Sequence, residues 1–420
     1  MELAILPRFR RPDLRVSVPD ALRQRLAAVV TSAALSVLDT ERIQALGEDL
    51  RVARRMRDHH LGLLVCSLVL SALQRSTDTQ GRWLDAQATY ESLGGKRTGT
   101  TSFREQVQKS VPVLRVMLTR RMRQLRTETP ALAGRLKDLQ DVLIPDGCAF
   151  KLAKALAGCY RGTSQAAELK LHALYSVRAN GAVEVTSTAG RVHDNDGFKP
   201  TKETWVKGAL YIWDLGYDDY ERVVDAVEAG SQVLQRLKTS ANPVVLASYG
   251  PTGKPREMAW EDGRPIRLNA ALQLGLEHHQ RVLDLDVCLR DVKKRKVVAR
   301  VVCVPFAGED RYYLTTLRRE IFSPQDVAEL YRVRWEVELL FRNWRGAVRL
   351  DEVRRLSNPD SLNAAVLSSL LAATLGQAIT RDLNRLCAEL AKPTPAEPGV
   401  AMPVAMGASS REAFPPGALA

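Results

Sequence analysis

The stretch that most constrains this chain runs from Tyr331 to Arg345 and reads YRVRWEVELLFRNWR. Ser323 and Pro324 precede it and predict a helix start, because serine caps free N–H groups and proline fits the first turn. Apolar residues then recur at helical spacing and predict a helix with one buried stripe: Val327, Leu330, Val337, Phe341, Trp344 and Val348.

A polar strip lies beside this apolar stripe. At about 100° per residue, four side chains fall within roughly 60° of one another: Tyr331, Arg334, Glu338 and Arg345. One carboxylate therefore sits in a row of cations and a phenol. Periodicity alone also fits an ordinary solvated face, on which Arg334 and Glu338 form a common i,i+4 ion pair.

The spacing of the strip is more specific than its periodicity. It resembles the Tyr-x2-Arg-x3-Glu-x6-Lys signature of the insertion-sequence-four family of bacterial DDE transposases, with arginine at the last position: Tyr331, Arg334, Glu338 and Arg345. In that family the glutamate completes an Asp-Asp-Glu metal site. The resemblance therefore implies two further aspartates upstream, each on a strand.

Charge is distributed unevenly along the 420 residues, which are enough for two or more structural units. Residues 1–140 hold 24 Lys and Arg against 14 Asp and Glu, so ten of the thirteen net positive charges lie there. A basic segment of this kind indicates a polyanionic partner, most simply nucleic acid, although solubility alone explains a milder imbalance.

The six cysteines are scattered without a CxxC pair, which argues against a zinc finger or a disulfide framework and favours a reducing cytosol. The longest uninterrupted apolar run, Leu61 to Leu73, is too short to span a bilayer. We expect a cytoplasmic, nucleoid-associated protein with no membrane partner.

Residues 1–135 have helical patterns and predict a basic domain that binds DNA ends. A basic run occupies residues 51–57, and one long helix carries four arginines: Arg115, Arg120, Arg121 and Arg123. These faces suit contacts with phosphates. Because no helix-turn-helix pattern is present, a well-solvated helical surface explains them equally well.

From Asp138 onward the pattern becomes strand-like. Two alternating runs flank the hairpin dipeptide Asn180-Gly181. Two apolar runs end in a carboxylate, at Asp146 and at Asp214, and the second is followed by a helix and another strand. An aspartate after a strand is commonly a turn residue or a helix cap. Two of them, together with Glu338, indicate a site at the carboxyl ends of the strands of a mixed sheet.

The resemblance extends to these aspartates. Asp146 resembles the family's first aspartate, although Gly147 and Cys148 stand where serine or threonine is common. The segment Asp214-Leu-Gly-Tyr matches the family's Asp-x-Gly-Tyr, with Leu215 in place of the common arginine. Arg236 fits the basic residue that often follows.

Segments 170–172 and 190–194 look like stretches the family has between its two aspartates. Relatives also carry a β-strand insertion before the glutamate helix, and a tryptophan there can stack on an extruded base. Trp260 is the nearest candidate for that role. The resemblance covers roughly residues 138 to 350.

These patterns predict an α/β protein in which an insertion of β-strands interrupts a ribonuclease H-like mixed-sheet core. The predicted division is a helical DNA-end-binding domain (1–135), the first part of the core (136–238), the β-rich insertion (239–311), the rest of the core with the catalytic-Glu helix (312–350), a C-terminal helical segment (351–391) and a disordered tail (392–420).

Carboxylates from three separate elements suit the hard cations Mg²⁺ or Mn²⁺, and two ions would serve an in-line phosphoryl displacement. The predicted ligands are Asp146, Asp214 and Glu338; the predicted backbone-binding residues are Tyr331, Arg334, Arg345, Arg236 and, by stacking, Trp260.

The resemblance implies a transposase that cleaves double-stranded DNA at terminal inverted repeats and joins it to target DNA, as a homodimer on DNA. The residues alone imply metal-dependent phosphodiester chemistry. They leave open a ribonuclease H-like nuclease, a catalytically inactive DNA-binding relative and a metal-free α/β binding protein.

Overall fold

The computed structural model describes residues 20–52, 59–74, 79–127, 129, 131–201, 203–217, 219–238, 240–250, 253–256, 266–277, 282–306 and 309–390. Three sequence predictions fall wholly or largely outside these ranges: the basic run at 51–57, Trp260 and the C-terminal tail.

Helices make up most of the described residues before the sheet and cover both sheet faces. Their bounds are α1 Asp20–Val37, α2 Thr40–Asp49, α3 Leu61–Leu73, α4 Thr79–Ser92, α5 Thr100–Lys109, α6 Val111–Thr127, α7 Asp194–Gly197, α8 Tyr220–Glu228, α9 Leu268–Glu277, α10 Pro324–Arg332, α11 Trp335–Gly346 and α12 Pro359–Leu390.

The described strands form one mixed sheet. Their bounds are β1 Val142–Lys151, β2 Glu168–Ser176, β3 Gly181–Ala189, β4 Leu210–Trp213, β5 Gln232–Arg236, β6 Val244–Tyr249, β7 Pro255–Arg256, β8 Leu283–Arg290, β9 Lys296–Phe306 and β10 Glu309–Thr315. The order across the sheet is β3-β2-β1-β4-β5-β10-β9-β8-β6-β7. The pairs β1/β4 and β4/β5 are parallel, and the others are antiparallel.

Local chemistry explains the first half of the sheet. The predicted hairpin joins β2 to β3, and Asn180 takes the left-handed conformation (φ 50°) that this turn needs. Neighbouring residues of β1 face opposite sides, so Ile144 packs into one core and Leu143 into the other. The first core holds helices α1–α6 and α10–α12, whereas the second holds α8, α9 and Leu125 near the end of α6.

The strands of the predicted insertion extend the core sheet. β10 pairs with β5 on one side and with β9 on the other, and β8, β6 and β7 follow. Strands β6 to β10 therefore lengthen one sheet, while the division of the chain into domains stays a prediction.

The C-terminal helix α12 reaches Leu390, close to the end of the predicted helical segment at 351–391. Among the described helices it alone is long and apolar enough to cross a membrane by length and composition, with a hydropathy of 1.5 over Pro359–Cys387. Of that apolar window, 67% is buried. α12 packs against α1, α3, α5 and α6 and so acts as the central helix of the N-terminal helical layer.

Candidate active site

The segment carrying Glu338 starts as predicted. Ser323 caps α10, its side chain accepts a hydrogen bond from the N–H of Asp326, and the Asp326 carboxylate accepts one in return from the N–H of Ser323. This reciprocal capping box, followed by Pro324, fixes the first turn.

The prediction of one uninterrupted helix is wrong at Arg334. The N–H of Arg334 bonds the carbonyl of Tyr331, and the N–H of Glu336 bonds that of Val333, so the junction between α10 and α11 is a turn of i→i+3 bonds. Such a turn is tighter than an α-helix and aligns residues three apart. Tyr331 and Arg334 are thereby brought to the same side, above the sheet.

Asp146 lies inside β1, where the sequence predicts a strand end. β1 pairs with β4 only at Val142 and Leu143, but its pairing with β2 continues to Lys151. The continuous buried run therefore stops at Asp146, beyond the pairing with β4, while the strand goes on along β2. Asp214 directly follows β4, as predicted.

Arg334 brings the three predicted carboxylates together. Its Nη2 donates to Glu338 Oε1 at 2.6 Å, its Nη1 donates to Asp146 Oδ2 at 3.3 Å, and its Nε lies 4.0 Å from Asp214 Oδ1. The side chains of Asp146 and Arg334 are 20% and 18% exposed, whereas those of Glu338 and Asp214 are 35% and 45% exposed. The cluster thus opens toward solvent on the side of Asp214 and Glu338.

Tyr331 and Arg236 flank the same cluster. The Tyr331 hydroxyl donates to Asp214 Oδ1 at 3.4 Å, and its ring packs on Tyr313 at 5.1 Å. Burial raises the pKa of the Tyr331 phenol, and Asp214 adds to the rise, while Arg334 and Arg236 oppose it. Tyr331 is therefore a neutral hydrogen-bond donor at physiological pH.

Arg345 lies apart from the carboxylates. Its Nη2 donates to Cys148 Sγ at 2.8 Å, and its guanidinium lies over the ring of Phe150 at 5.5 Å. Burial raises the pKa of the Cys148 thiol to about 11, so the thiol is neutral. Two departures from the family pattern, Cys148 and Arg345, thus contact each other beyond Asp146 on β1.

Asp146 has an unusual protonation equilibrium. Burial raises its pKa to about 6, and the charges of Asp214 and Asp194 act in the same direction. The N–H of Gly147, 2.8 Å from Oδ1, and the guanidinium of Arg334 oppose the rise. Net negative charge and burial thus act together at Asp146, which is common at sites that hold a cation.

The donor set fits a hard divalent cation, because three carboxylates from three elements already surround one cationic group. Among the described residues no three His, Cys, Asp or Glu side chains are placed to hold a metal ion as they stand. Arg334 lies between the carboxylates instead.

Two further residues near the cluster are not among the predicted site residues. Trp335 is 50% exposed at the start of α11, next to Arg334, and a large apolar side chain so exposed beside polar groups is an informative surface feature. Asp194 lies on α7, behind β1. Trp335 is recognisable only once the helix phase is known. Asp194 ends the segment 190–194 that resembles a family stretch, but its position behind β1 is known only once β1 and α7 are placed.

A family model for the transposase DDE domain matches residues 137–375, more than half of the chain. The chain belongs to this family. All three carboxylates of the cluster lie within the match, whereas helices α1–α6 precede it.

Relatives of this transposase domain include insertion-sequence proteins of bacteria. The chain is 37% identical over 62 residues to the transposase of insertion sequence element IS421 of Escherichia coli, which covers 15% of this chain and 16% of that protein. It is 19% identical over 274 residues to the transposase of IS231B of Bacillus thuringiensis subsp. berliner, with 56% of each chain covered. The chain therefore spans only part of the length of these relatives.

Among solved structures, the chain resembles the piggyBac transposase in a cryo-EM structure of its synaptic complex with hairpin DNA. The TM-score is 0.38 at 10% identity, over 76% of this chain and 65% of that chain. A likeness of this size carries no argument about function.

Proposed function

We propose that this protein is a transposase that cleaves DNA at the ends of a transposable element and joins the freed ends to target DNA. The observation that carries the proposal is the convergence of Asp146, Asp214 and Glu338 on Arg334, within the matched transposase domain. These carboxylates come from three separate elements, β1, the end of β4 and α11, whereas two of the three around the surface residue Arg295 lie on the single helix α8.

We infer that the core is ribonuclease H-like and that the chain belongs to the insertion-sequence-four group. The strand order β3-β2-β1-β4-β5, with β1, β4 and β5 parallel, supports the first point, since it aligns β1 with the end of β4. The placement of Tyr331, Arg334 and Glu338 around Asp214 and Asp146 supports the second.

Asp146, Asp214 and Glu338 would hold one or two Mg²⁺ or Mn²⁺ ions. Such ions, when bound, stabilise the charge that develops on the phosphoryl oxygens during in-line displacement. The same three carboxylates contact Arg334 in this structure. Arg334 must therefore move away before they can bind a metal ion. Once released, its forked guanidinium suits a DNA phosphate.

The other proposed DNA contacts surround the cluster. Tyr331 supplies a neutral hydroxyl, Arg345 a guanidinium fixed over Phe150, and Arg236 a cation at the end of β5. All suit backbone contacts that position DNA without reading its sequence.

The basic N-terminal helices are proposed to hold the element ends. Arg115, Arg120 and Arg123 of α6 are exposed, as a phosphate-binding face requires. Arg121 is 4% exposed and contacts Gln124, so the prediction that groups it with the other three as a surface arginine is wrong. We propose that the protein is cytoplasmic, associates with the nucleoid and works as a homodimer on double-stranded DNA that carries terminal inverted repeats.

The decisive experiment incubates the purified protein and Mg²⁺ with a plasmid that carries the element encoding this chain. Wild type is expected to excise the element and to yield joined products. Glu338→Gln should lower cleavage at least about a thousandfold, equivalent to roughly 4 kcal/mol in the barrier. The matched control is Glu336→Gln, an exposed carboxylate of the same helical turn, which should stay near wild type.

Each alternative has its own outcome in this assay. Cleavage without joined products would identify a nuclease, and DNA binding without cleavage would identify an inactive relative. Cleavage that survives a chelator, or equal activity of wild type and Glu338→Gln, would contradict the proposed site.

A further inference from the structure

A compact polar group lies behind β1, on the sheet face opposite the Asp146 carboxylate. Alternation along the strand places Asp146 on the face of Ile144, and Gly147 on the opposite face. The cross-strand partner of Gly147 is His172 of β2, which is buried. The short helix α7 packs here and places Asp194 against the strand.

Gly147 is glycine because Asp194 fills the space of a side chain. A Cβ built at position 147 would lie 2.1 Å from Asp194 Oδ1 and 3.0 Å from Lys170 Cε. A separation near 2 Å is far inside van der Waals contact, so any side chain at 147 displaces either the carboxylate or the strand. Gly147 is one of the departures from the family pattern, and in this chain a larger side chain there would meet Asp194 and Lys170.

Asp194 is held in place from several directions. Lys170 Nζ lies 2.8 Å from Asp194 Oδ1, and His172 Nδ1 lies 3.6 Å from the same oxygen. A second close approach fixes α7, since a Cβ at Gly197 would overlap the His172 ring at 2.1 Å. The other edge of the His172 ring contacts Thr188 Oγ1 at 2.8 Å, so the ring is fixed on both sides.

The same helix is also tied to the strand that carries Asp214. Arg222 of α8 donates to the carbonyl of Asn195 at 2.9 Å, and its guanidinium lies 5.9 Å from the ring of Trp213, the last residue of β4. Since α7 contacts β1 and is bonded to α8, it can fix the relative positions of the two aspartate strands.

The link from Asp194 to the reacting groups runs through one peptide unit. The N–H of Gly147 donates to Asp146 Oδ1 at 2.8 Å and so orients the carboxylate. The Asp194 carboxylate packs against the Cα of the same glycine, on the sheet face opposite the Asp146 side chain. A shift of this peptide toward the rear would therefore turn or withdraw Asp146.

We propose that Asp194 is a positioning residue for Asp146, which supports the backbone of Gly147 from behind β1 and requires glycine at that position. The proposal rests on the transposase function proposed above. Lys170 pairs with the Asp194 carboxylate and the His172 ring lies beside it, and none of the three needs to touch DNA.

The test is a double-mutant cycle of wild type, Gly147→Ala, Asp194→Ala and the double variant, measured by thermal unfolding and by kcat and KM for cleavage. Gly147→Ala should lower Tm and reduce kcat about 100-fold, because small displacements of reacting groups have costs of that size. In the Asp194→Ala background the same change should add less than about threefold and no further loss of Tm, because contacting residues are not additive.

Asp194→Ala alone should lower kcat about tenfold with KM for DNA unchanged, since misplaced catalytic groups affect the chemical step. Two controls should stay at wild-type values. Asp196→Asn changes an exposed carboxylate of α7, and Gly158→Ala adds a Cβ that would meet no atom within 4 Å.

Equal losses from Gly147→Ala in both backgrounds, in Tm or in kcat, would overturn the proposal, as would a wild-type kcat for Asp194→Ala. A rise in KM with kcat unchanged would also overturn it, because Asp194 would then act in DNA binding. An inactive wild type would contradict the proposed transposase function, while the Tm cycle would still decide the Gly147–Asp194 contact.

Discussion

Arg300 and Arg334 both contact carboxylates, but in opposite ways. Arg300 of β9 is almost fully buried and grips Asp284 with two bonds, of 2.7 and 2.6 Å, while its Nη1 donates to the carbonyl of Phe322 at 2.7 Å. The neighbouring Arg319 pairs with Asp286 at 2.6 Å. Two cations thus face two carboxylates.

Arg334 faces an excess of negative charge. Three carboxylates share this one guanidinium, at 2.6, 3.3 and 4.0 Å, and only one contact has the length of a strong charged hydrogen bond. The two clusters use the same chemical groups, so the difference lies in stoichiometry and solvent access. The balanced, dry pair holds the fold together, whereas the half-open cluster at Arg334 draws its carboxylates from three separate elements and can accept another cation.

The largest effect expected from this comparison is on the balanced pair. Asp284→Asn should lower the free energy of unfolding by roughly 3–5 kcal/mol, because it leaves the buried Arg300 without a counter-charge. Chemical denaturation measures the loss. Glu184→Gln is the control, since its pair with Arg126 is 3.5 Å long and exposed, and such pairs contribute about 1 kcal/mol or less. Equal losses in the two variants would remove the distinction between the clusters.

A smaller effect of opposite sign is expected at the unbalanced cluster. Burial raises the pKa of Asp146 from 3.8 to about 6, so between these values the folded protein binds more protons than the unfolded chain. Its contribution to the free energy of unfolding is therefore full at low pH, falls as pH rises through about 6, and amounts to at most roughly 3 kcal/mol.

Asp146→Asn should abolish this fall and be more stable than wild type above pH 6, while Glu336→Gln should retain the wild-type fall. Denaturation midpoints measured from pH 4 to pH 8 provide the check. Cleavage by wild type should rise over the same interval, since the proposed role needs the ionised carboxylate. Parallel curves of stability against pH for wild type and Asp146→Asn would show that burial does not disfavour the ionised form of Asp146.

Local sequence patterns predict several parts of the fold and of the site. Ser323 and Pro324 predicted the start of α10 because capping depends on adjacent residues. The Asn180-Gly181 turn predicted the β2–β3 hairpin for the same reason. Asp214 was placed correctly because its strand and its apolar run end together.

Long-range contacts explain why the local pattern is misleading at Asp146 and silent on the position of Asp194. The end of the apolar run predicts a strand end at Asp146, yet β1 continues on β2, a strand that begins at Glu168. The turn at Arg334 has no breaker residue, and periodicity continues across it. Asp194 depends on α7 lying behind β1, which no local pattern expresses.

The smallest effect is expected at Arg345, whose Nη2 donates to Cys148 Sγ beyond the three carboxylates. A lysine has one ammonium in place of a planar fork, so Arg345→Lys should lose this contact while keeping its charge. We expect kcat/KM to fall about fivefold, or roughly 1 kcal/mol. Cys148→Ala should have a similar effect in wild type and none in the Arg345→Lys background. The exposed thiol variant Cys159→Ala is the control. Losses that multiply would show that Cys148 and Arg345 act independently, and Arg345 would then bind DNA without support from β1.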